Sequence, residues 1–79
     1  MDSFSKVIFP KQLKMVRLEL GLSQKEFALK VGRSPNTYNG WEKGTAFPSE
    51  AAIEMMVTVL GIRKDFLELG EGEMFSITN

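Results

Sequence analysis

The chain contains no cysteine and no histidine. Without cysteine, disulfides and thiolate metal sites are excluded, and a reducing, cytosolic setting fits that composition. Without histidine, zinc hydrolysis, imidazole general-base catalysis and Ser-His-Asp triads lose their usual member. Serine, threonine and carboxylates remain, but no base, phosphate loop or metal cluster accompanies them. The chain therefore reads as a non-enzyme, with no cofactor and no small-molecule substrate. No apolar run approaches the ~18 residues of a membrane span. The opening MDSFSKVIFPK has neither the basic region nor the apolar region of a signal peptide. No membrane partner is expected, and the expected location is cytoplasmic.

What is present is ordinary for a small globular domain: 79 residues, 43% hydrophobic and 25% charged. One domain with one modest core fits that length. Formal net charge is zero, which removes long-range attraction for nucleic acid, but the charges are segregated. Through Thr45 there are eight basic side chains against four acidic, and from Ala46 onward two against six. A bipolar domain can turn its basic end to phosphate. Two solvated surfaces with no partner fit the same count.

Capping residues and glycines punctuate the chain into five helices. Pro10 suits the first turn of a helix over Lys11 to Leu20, where its missing N–H costs nothing. Leu13, Val16 and Leu20 give that helix one apolar face, and Gly21 ends it. Ser23 with Glu26 three residues on is a capping box for the second helix. Its apolar positions are Phe27, Ala28 and Val31, and Gly32 closes it. Ser34 caps a third helix with Pro35 at its first position, Tyr38 and Trp41 on its inner side, and Gly44 at its end. Ser49 caps a fourth, whose face is Ala52, Ile53, Met56, Val57 and Leu60. A short fifth runs from about Lys64 to Leu69. The predicted fold class is all-α, a compact five-helix bundle. Residues 1–9 form an N-terminal arm, 10–72 the domain and 73–79 a tail.

Residues 24–43 carry the informative spacing. Two short helices flank a tight turn, Gly32-Arg33-Ser34. Ala28 is small where the helices approach, and Gly32 permits the turn. With Val31, Tyr38 and Trp41 inside the angle, the outer face of the third helix keeps Asn36, Asn39, Gly40 and Lys43. A helix presenting such a face fits the major groove, where asparagine bonds adenine in a bidentate way.

The run from Leu13 to Ser49 resembles the Cro/C1-type (XRE family) helix-turn-helix of phage repressors and bacterial regulators. The resemblance rests on Leu13 or Val16 with Arg17, Gly21-Leu22-Ser23-Gln24, Ala28, Gly32, Ser34, Trp41-Glu42, Gly44 and Pro48, and it extends over about residues 11 to 72. It implies a lambda-repressor-like fold and a sequence-specific transcriptional regulator, most simply a repressor, that binds double-stranded DNA. The DNA-binding set it implies is Ser23, Gln24, Lys25, Arg33, Ser34, Asn36, Thr37, Asn39, Gly40 and Lys43. Gln24 would contact a phosphate, where the start of the second helix also favours an anion. Ser34 would cap the third helix and reach a phosphate. Asn36 is the foremost base reader, Thr37 would touch a thymine methyl or a phosphate, and Lys43 a phosphate. Arg17 and Glu42 match a structural ion pair that fixes the third helix.

Several features depart from the family pattern. Pro35 and Gly40 leave two recognition positions without a base-bonding side chain. The loop Thr45-Ala46-Phe47 lacks lysine or arginine. Weak binding by one copy and tight binding only by a homodimer on two half-sites follow, steeply weakened by salt. At the flanks, Phe4, Val7 and Phe9 alternate as in a strand, and Met74, Phe75 and Ile77 form a second apolar patch. The two patches are expected to pair as a ribbon, cover the core or join subunits, with disordered ends as the weaker alternative. Of Met55 and Met56, one is expected in the core and the other as an adaptable contact. The chain also suits the N-terminal domain of a longer repressor. The competing function is a protein-interaction module, of antitoxin or anti-repressor type, that keeps the fold with weak or no DNA binding.

Overall fold

Five helices follow one another in the computed structural model, which describes residues 4–76: α1 (Phe9–Glu19), α2 (Gln24–Lys30), α3 (Pro35–Lys43), α4 (Glu50–Leu60) and α5 (Lys64–Leu69). The all-α expectation holds among these residues; the one extended pairing is an isolated antiparallel bridge between Ile62 and Phe75. None of the described helices is long and apolar enough to cross a membrane.

The start and stop signals act locally. At α2, Ser23 Oγ accepts from the Glu26 N–H at 3.0 Å while the Ser23 N–H donates to Glu26 Oε1 at 2.8 Å. Both ends of the capping box are thus closed. Ser34 Oγ accepts from the Thr37 N–H at 3.1 Å and Ser49 Oγ from the Ala52 N–H at 3.2 Å, which start α3 and α4 in the same way. The turn between α2 and α3 depends on Gly32, whose φ of +70° strains any side chain. With that residue left-handed, the Arg33 N–H reaches back to the Ala28 carbonyl at 2.9 Å and the chain reverses.

The apolar faces expected from periodicity meet in one core. Phe9, Leu13 and Val16 of α1 pack with Phe27, Ala28, Val31, Tyr38, Trp41, Ile53, Met56 and Leu67. Phe27 and Tyr38 lie with ring centroids 4.8 Å apart, and Tyr38 and Trp41 meet edge to face at 5.8 Å. The core therefore bears directly on the inner side of α3. Met56 is fully buried and Met55 is exposed, which divides the pair as expected.

The N-terminal stretch differs from the strand-like reading. Helix α1 begins at Phe9, two residues before the expected start, so the alternation of Phe4, Val7 and Phe9 is not that of a strand. Ser5 accounts for this: its carbonyl accepts from the Phe9 N–H at 2.9 Å and its Oγ from the Ile8 N–H at 3.1 Å, turning the chain into the helix. Phe9 goes to the core, Val7 points to solvent, and Phe4 stacks at 4.9 Å from Phe9 and 5.8 Å from Phe47. At the other end, the Arg63 N–H donates to the Met74 carbonyl at 2.9 Å and the Ser76 N–H to the Gly61 carbonyl at 2.8 Å. The two apolar flanks thus cover the core separately; Ile77 lies outside the described residues.

Gly40 is also placed differently from its expected outward position. Its carbonyl accepts from the Thr45 and Ala46 N–H groups at 3.1 and 3.3 Å, and a Cβ there would lie 3.4 Å from Thr45 Oγ1 and 3.5 Å from Ala46 Cβ. The loop, not an open groove, lines the space a side chain would take. Those contacts are ordinary van der Waals distances, so Gly40→Ala should raise stability by about 1 kcal/mol through helix propensity. The expected thermal-melt result is a Tm higher by about 4–8 °C.

Candidate nucleic-acid interface

Along α3, side chains divide by depth. Tyr38 and Trp41 point inward, Asn39, Gly40 and Glu42 are half-buried, and Asn36, Thr37 and Lys43 are exposed. Asn36 and Lys43 lie two turns apart and almost in line on the side opposite the core, as a 100° step per residue requires. Neither side chain has a hydrogen-bond or ion-pair partner among the described residues, so both are available outward. Ser23 and Lys25 are exposed at the start of α2.

Beneath this face one carboxylate gathers four donors. Glu42 Oε2 accepts from Arg17 Nε at 2.6 Å and from the Tyr38 hydroxyl. Its Oε1 accepts from Arg17 Nη2 at 3.2 Å and from Gln24 Nε2 at 3.0 Å. Arg17 also donates Nη1 to the Leu22 carbonyl at 3.0 Å, which ties the α1–α2 turn to the same cluster. The expected Arg17–Glu42 pair is therefore formed, with side chains 12% and 5% exposed. It joins α1 to α3 while Gln24 joins α2 to α3 at the same carboxylate. A buried pair of this kind sets geometry more than it adds net stability.

The titration of Glu42 follows from these partners. Burial pushes its carboxyl up, but the hydrogen bonds from Arg17, Tyr38 and Gln24 and the Arg17 charge outweigh that, and the group titrates below the ordinary carboxylate range. Burial and the bond to Glu42 push the Tyr38 phenol well above its ordinary value, so it stays a donor. Because the folded carboxyl is the more acidic, its contribution is present above the unfolded pKa and is lost as pH falls through the folded one. Thermal melts should be flat near neutrality and fall below about pH 4. The same series on Glu42→Gln should show a shallower acid slope.

Several expected contacts have other partners. Arg33 Nη1 donates to the Val31 and Gly32 carbonyls at 3.3 and 3.2 Å, closing the end of α2. The Ser34 hydroxyl donates to Thr37 Oγ1 at 2.9 Å, so these two neighbours are coupled. Asn39 Nδ2 donates to Gln24 Oε1 at 2.9 Å. One basic residue outside the expected set is brought near: Lys6 Nζ sits 5.5 Å above the ring of Phe47, in the loop after α3. The sequence held no local sign of it, because 41 positions separate the two residues. That loop, which has no cation of its own, thus acquires one from the N-terminal segment.

A helix-turn-helix family model matches residues 13–67. The chain belongs to the Cro/C1-type helix-turn-helix family. Within this helix-turn-helix family it is similar to proteins with two kinds of name. The multiprotein-bridging factor 1 of Candida albicans is 34% identical over 61 residues, covering 77% of this chain and 40% of that protein. The cryptic phage CTXphi transcriptional repressor RstR of Vibrio cholerae is 33% identical over 55 residues, covering 70% of this chain and 50% of that protein. The chain thus spans half or less of the length of these curated relatives. Among solved structures, the SOS-response transcriptional repressor LexA from Eubacterium rectale superposes with a TM-score of 0.74 at 27% identity, over 94% of this chain and 82% of that one.

Proposed function

We propose that this helix-turn-helix domain is the DNA-binding part of a sequence-specific transcriptional regulator, a repressor, that enters the major groove with α3. The observation that carries the reading is the outward pair Asn36 and Lys43 on a helix held from behind by the Arg17–Glu42–Gln24 cluster. A rigid helix with uncommitted polar side chains on its solvent face supplies both positioning and base readout. The likeness to RstR and to LexA, both named as repressors, supports the same direction. Lys25, Lys43 and Lys6 contribute phosphate attraction on a chain whose overall charge is zero. One copy offers few such contacts, so tight binding needs a homodimer on two half-sites.

A second reading is favoured by the likeness to a multiprotein-bridging factor. In it the same domain docks a protein partner, and the absence of a base-bonding side chain at Pro35 reflects relaxed DNA contact.

Fluorescence anisotropy with a pool of random duplexes at two salt concentrations separates these readings. The wild type should bind with strong salt dependence and select a repeated half-site. Gln24→Ala combined with Asn36→Ala should lower affinity by at least about 10-fold. A folded protein that binds no duplex at low salt overturns the regulator reading in favour of the protein-docking one.

A further inference from the structure

Asn39 stands on α3 where a base reader was expected, yet its amide nitrogen is engaged inside the protein. Its Nδ2 lies 2.9 Å from Gln24 Oε1, and Gln24 Nε2 lies 3.0 Å from Glu42 Oε1. We infer that Asn39 acts on DNA through Gln24, as a positioning residue, and that base reading by α3 is concentrated on Asn36. The inference rests on the DNA-binding reading above.

The chemistry of the three groups fixes one arrangement. A carboxamide has two nearly isosteric orientations, related by a half-turn that exchanges its oxygen and its nitrogen. Glu42 is ionised and can only accept, so it demands the nitrogen end of Gln24. Asn39 then meets the oxygen end with its own amide nitrogen. Glu42 selects the orientation and the Asn39 bond restrains the side chain in it. The reversed one would set the Gln24 oxygen against the carboxylate, opposing half-buried acceptors. Glu42 is itself held by Arg17 and Tyr38, so the relay runs from α3 through α2 to an anchor on α1.

Held in this way, Gln24 has one N–H beyond the bond to Glu42, and that donor is the one available to a phosphate oxygen. Asn39 sets its direction without needing to reach DNA. The remaining outward positions add little base readout: Pro35 has no donor, the space at Gly40 faces the loop, and Thr37 is bonded to Ser34. Asn36 remains as the base reader, with Lys43 beside it for phosphate.

A positioning residue and a base reader leave different signatures. Losing a positioning residue weakens binding to every duplex by one factor, because a phosphate contact carries no sequence information. Losing a base reader weakens the preferred duplex selectively. Asn39→Ala should therefore lower affinity about 3- to 10-fold on preferred and unrelated duplexes alike, with the selected half-site unchanged. In a Gln24→Ala background the same substitution should have no further effect, since the group it positions is gone.

The experiment is this double-mutant cycle, Gln24→Ala against Asn39→Ala, read on a selected and an unrelated duplex. It is paired with NMR of the Gln24 side-chain amide in the free protein. Expected are uniform loss, non-additivity, and a shift of the Gln24 amide signals in Asn39→Ala. Additive effects with lost preference at one base pair, from a wild type that binds, overturn the inference and leave the DNA-binding reading intact. Gln24 amide signals unmoved by Asn39→Ala overturn it as well. A wild type that binds no duplex overturns both readings together.

Discussion

Glu42→Ala should destabilise the domain by about 3–5 kcal/mol. The substitution removes an acceptor shared by Arg17, Tyr38 and Gln24 at once, leaving an unpaired guanidinium whose side chain is 12% exposed. An uncompensated buried charge is far costlier than the net gain of the pair it came from. For a domain of this size the Tm should fall by at least about 12 °C. The effect on function should exceed the effect on stability. Helices α1, α2 and α3 meet at this carboxylate, so any variant that remains folded at low temperature should also bind DNA poorly. Glu42→Gln, which keeps the shape and one acceptor, should lose less. Circular dichroism melts of both variants check this, and a Tm for Glu42→Ala within about 3 °C of the wild type, less than 1 kcal/mol of loss, contradicts it.

Trp41→Ala should be comparably severe for a different reason. Trp41 is 3% exposed, stands edge to face with Tyr38 at 5.8 Å, and fills the space beneath α3. Truncating a tryptophan in a core costs about 3–5 kcal/mol through lost burial and the cavity left behind. Small domains hold only about 5–15 kcal/mol in total, so much of the stability goes with one side chain. Chemical denaturation should show a lower midpoint with an almost unchanged slope. Trp41→Phe, which refills part of the space, should recover more than half of the loss. A variant Trp41→Ala with an unchanged midpoint would mean that α3 is not anchored through this ring.

The helices themselves were readable in the sequence because their signals are local. Ser23, Ser34 and Ser49 each cap within three residues, and Gly44, Gly61 and Gly70 each end a helix in the left-handed conformation. The apolar periodicity then named the buried faces, down to the division between Met55 and Met56. The Arg17–Glu42 pair was readable only through family resemblance, since 25 positions separate the partners. What stayed hidden depended on contacts that apolar periodicity and capping do not encode. Asn39 looks like any exposed polar residue until α2 places Gln24 beside it. Gly40 looks like a gap in the recognition face until the loop folds against it. Phe4 and Phe9 alternate like strand residues, but Ser5 turns the chain and both rings pack toward Phe47. Lys6 follows them to the loop after α3. In each case a contact outside the apolar pattern overrode or completed it.

The claim that the outward side of α3 meets DNA is tested most directly by NMR titration of the isotope-labelled protein with a short duplex at low salt. Backbone amides of residues 23–26 and 33–43 should shift on addition of DNA, together with Lys6 and the loop over residues 44–47. Amides of α4 and α5, which carry none of the proposed contact residues, should stay in place. Raising the salt should reverse the shifts. Shifts confined to α4 and α5, or no shifts at all from a folded protein, would contradict the assignment of this face to DNA.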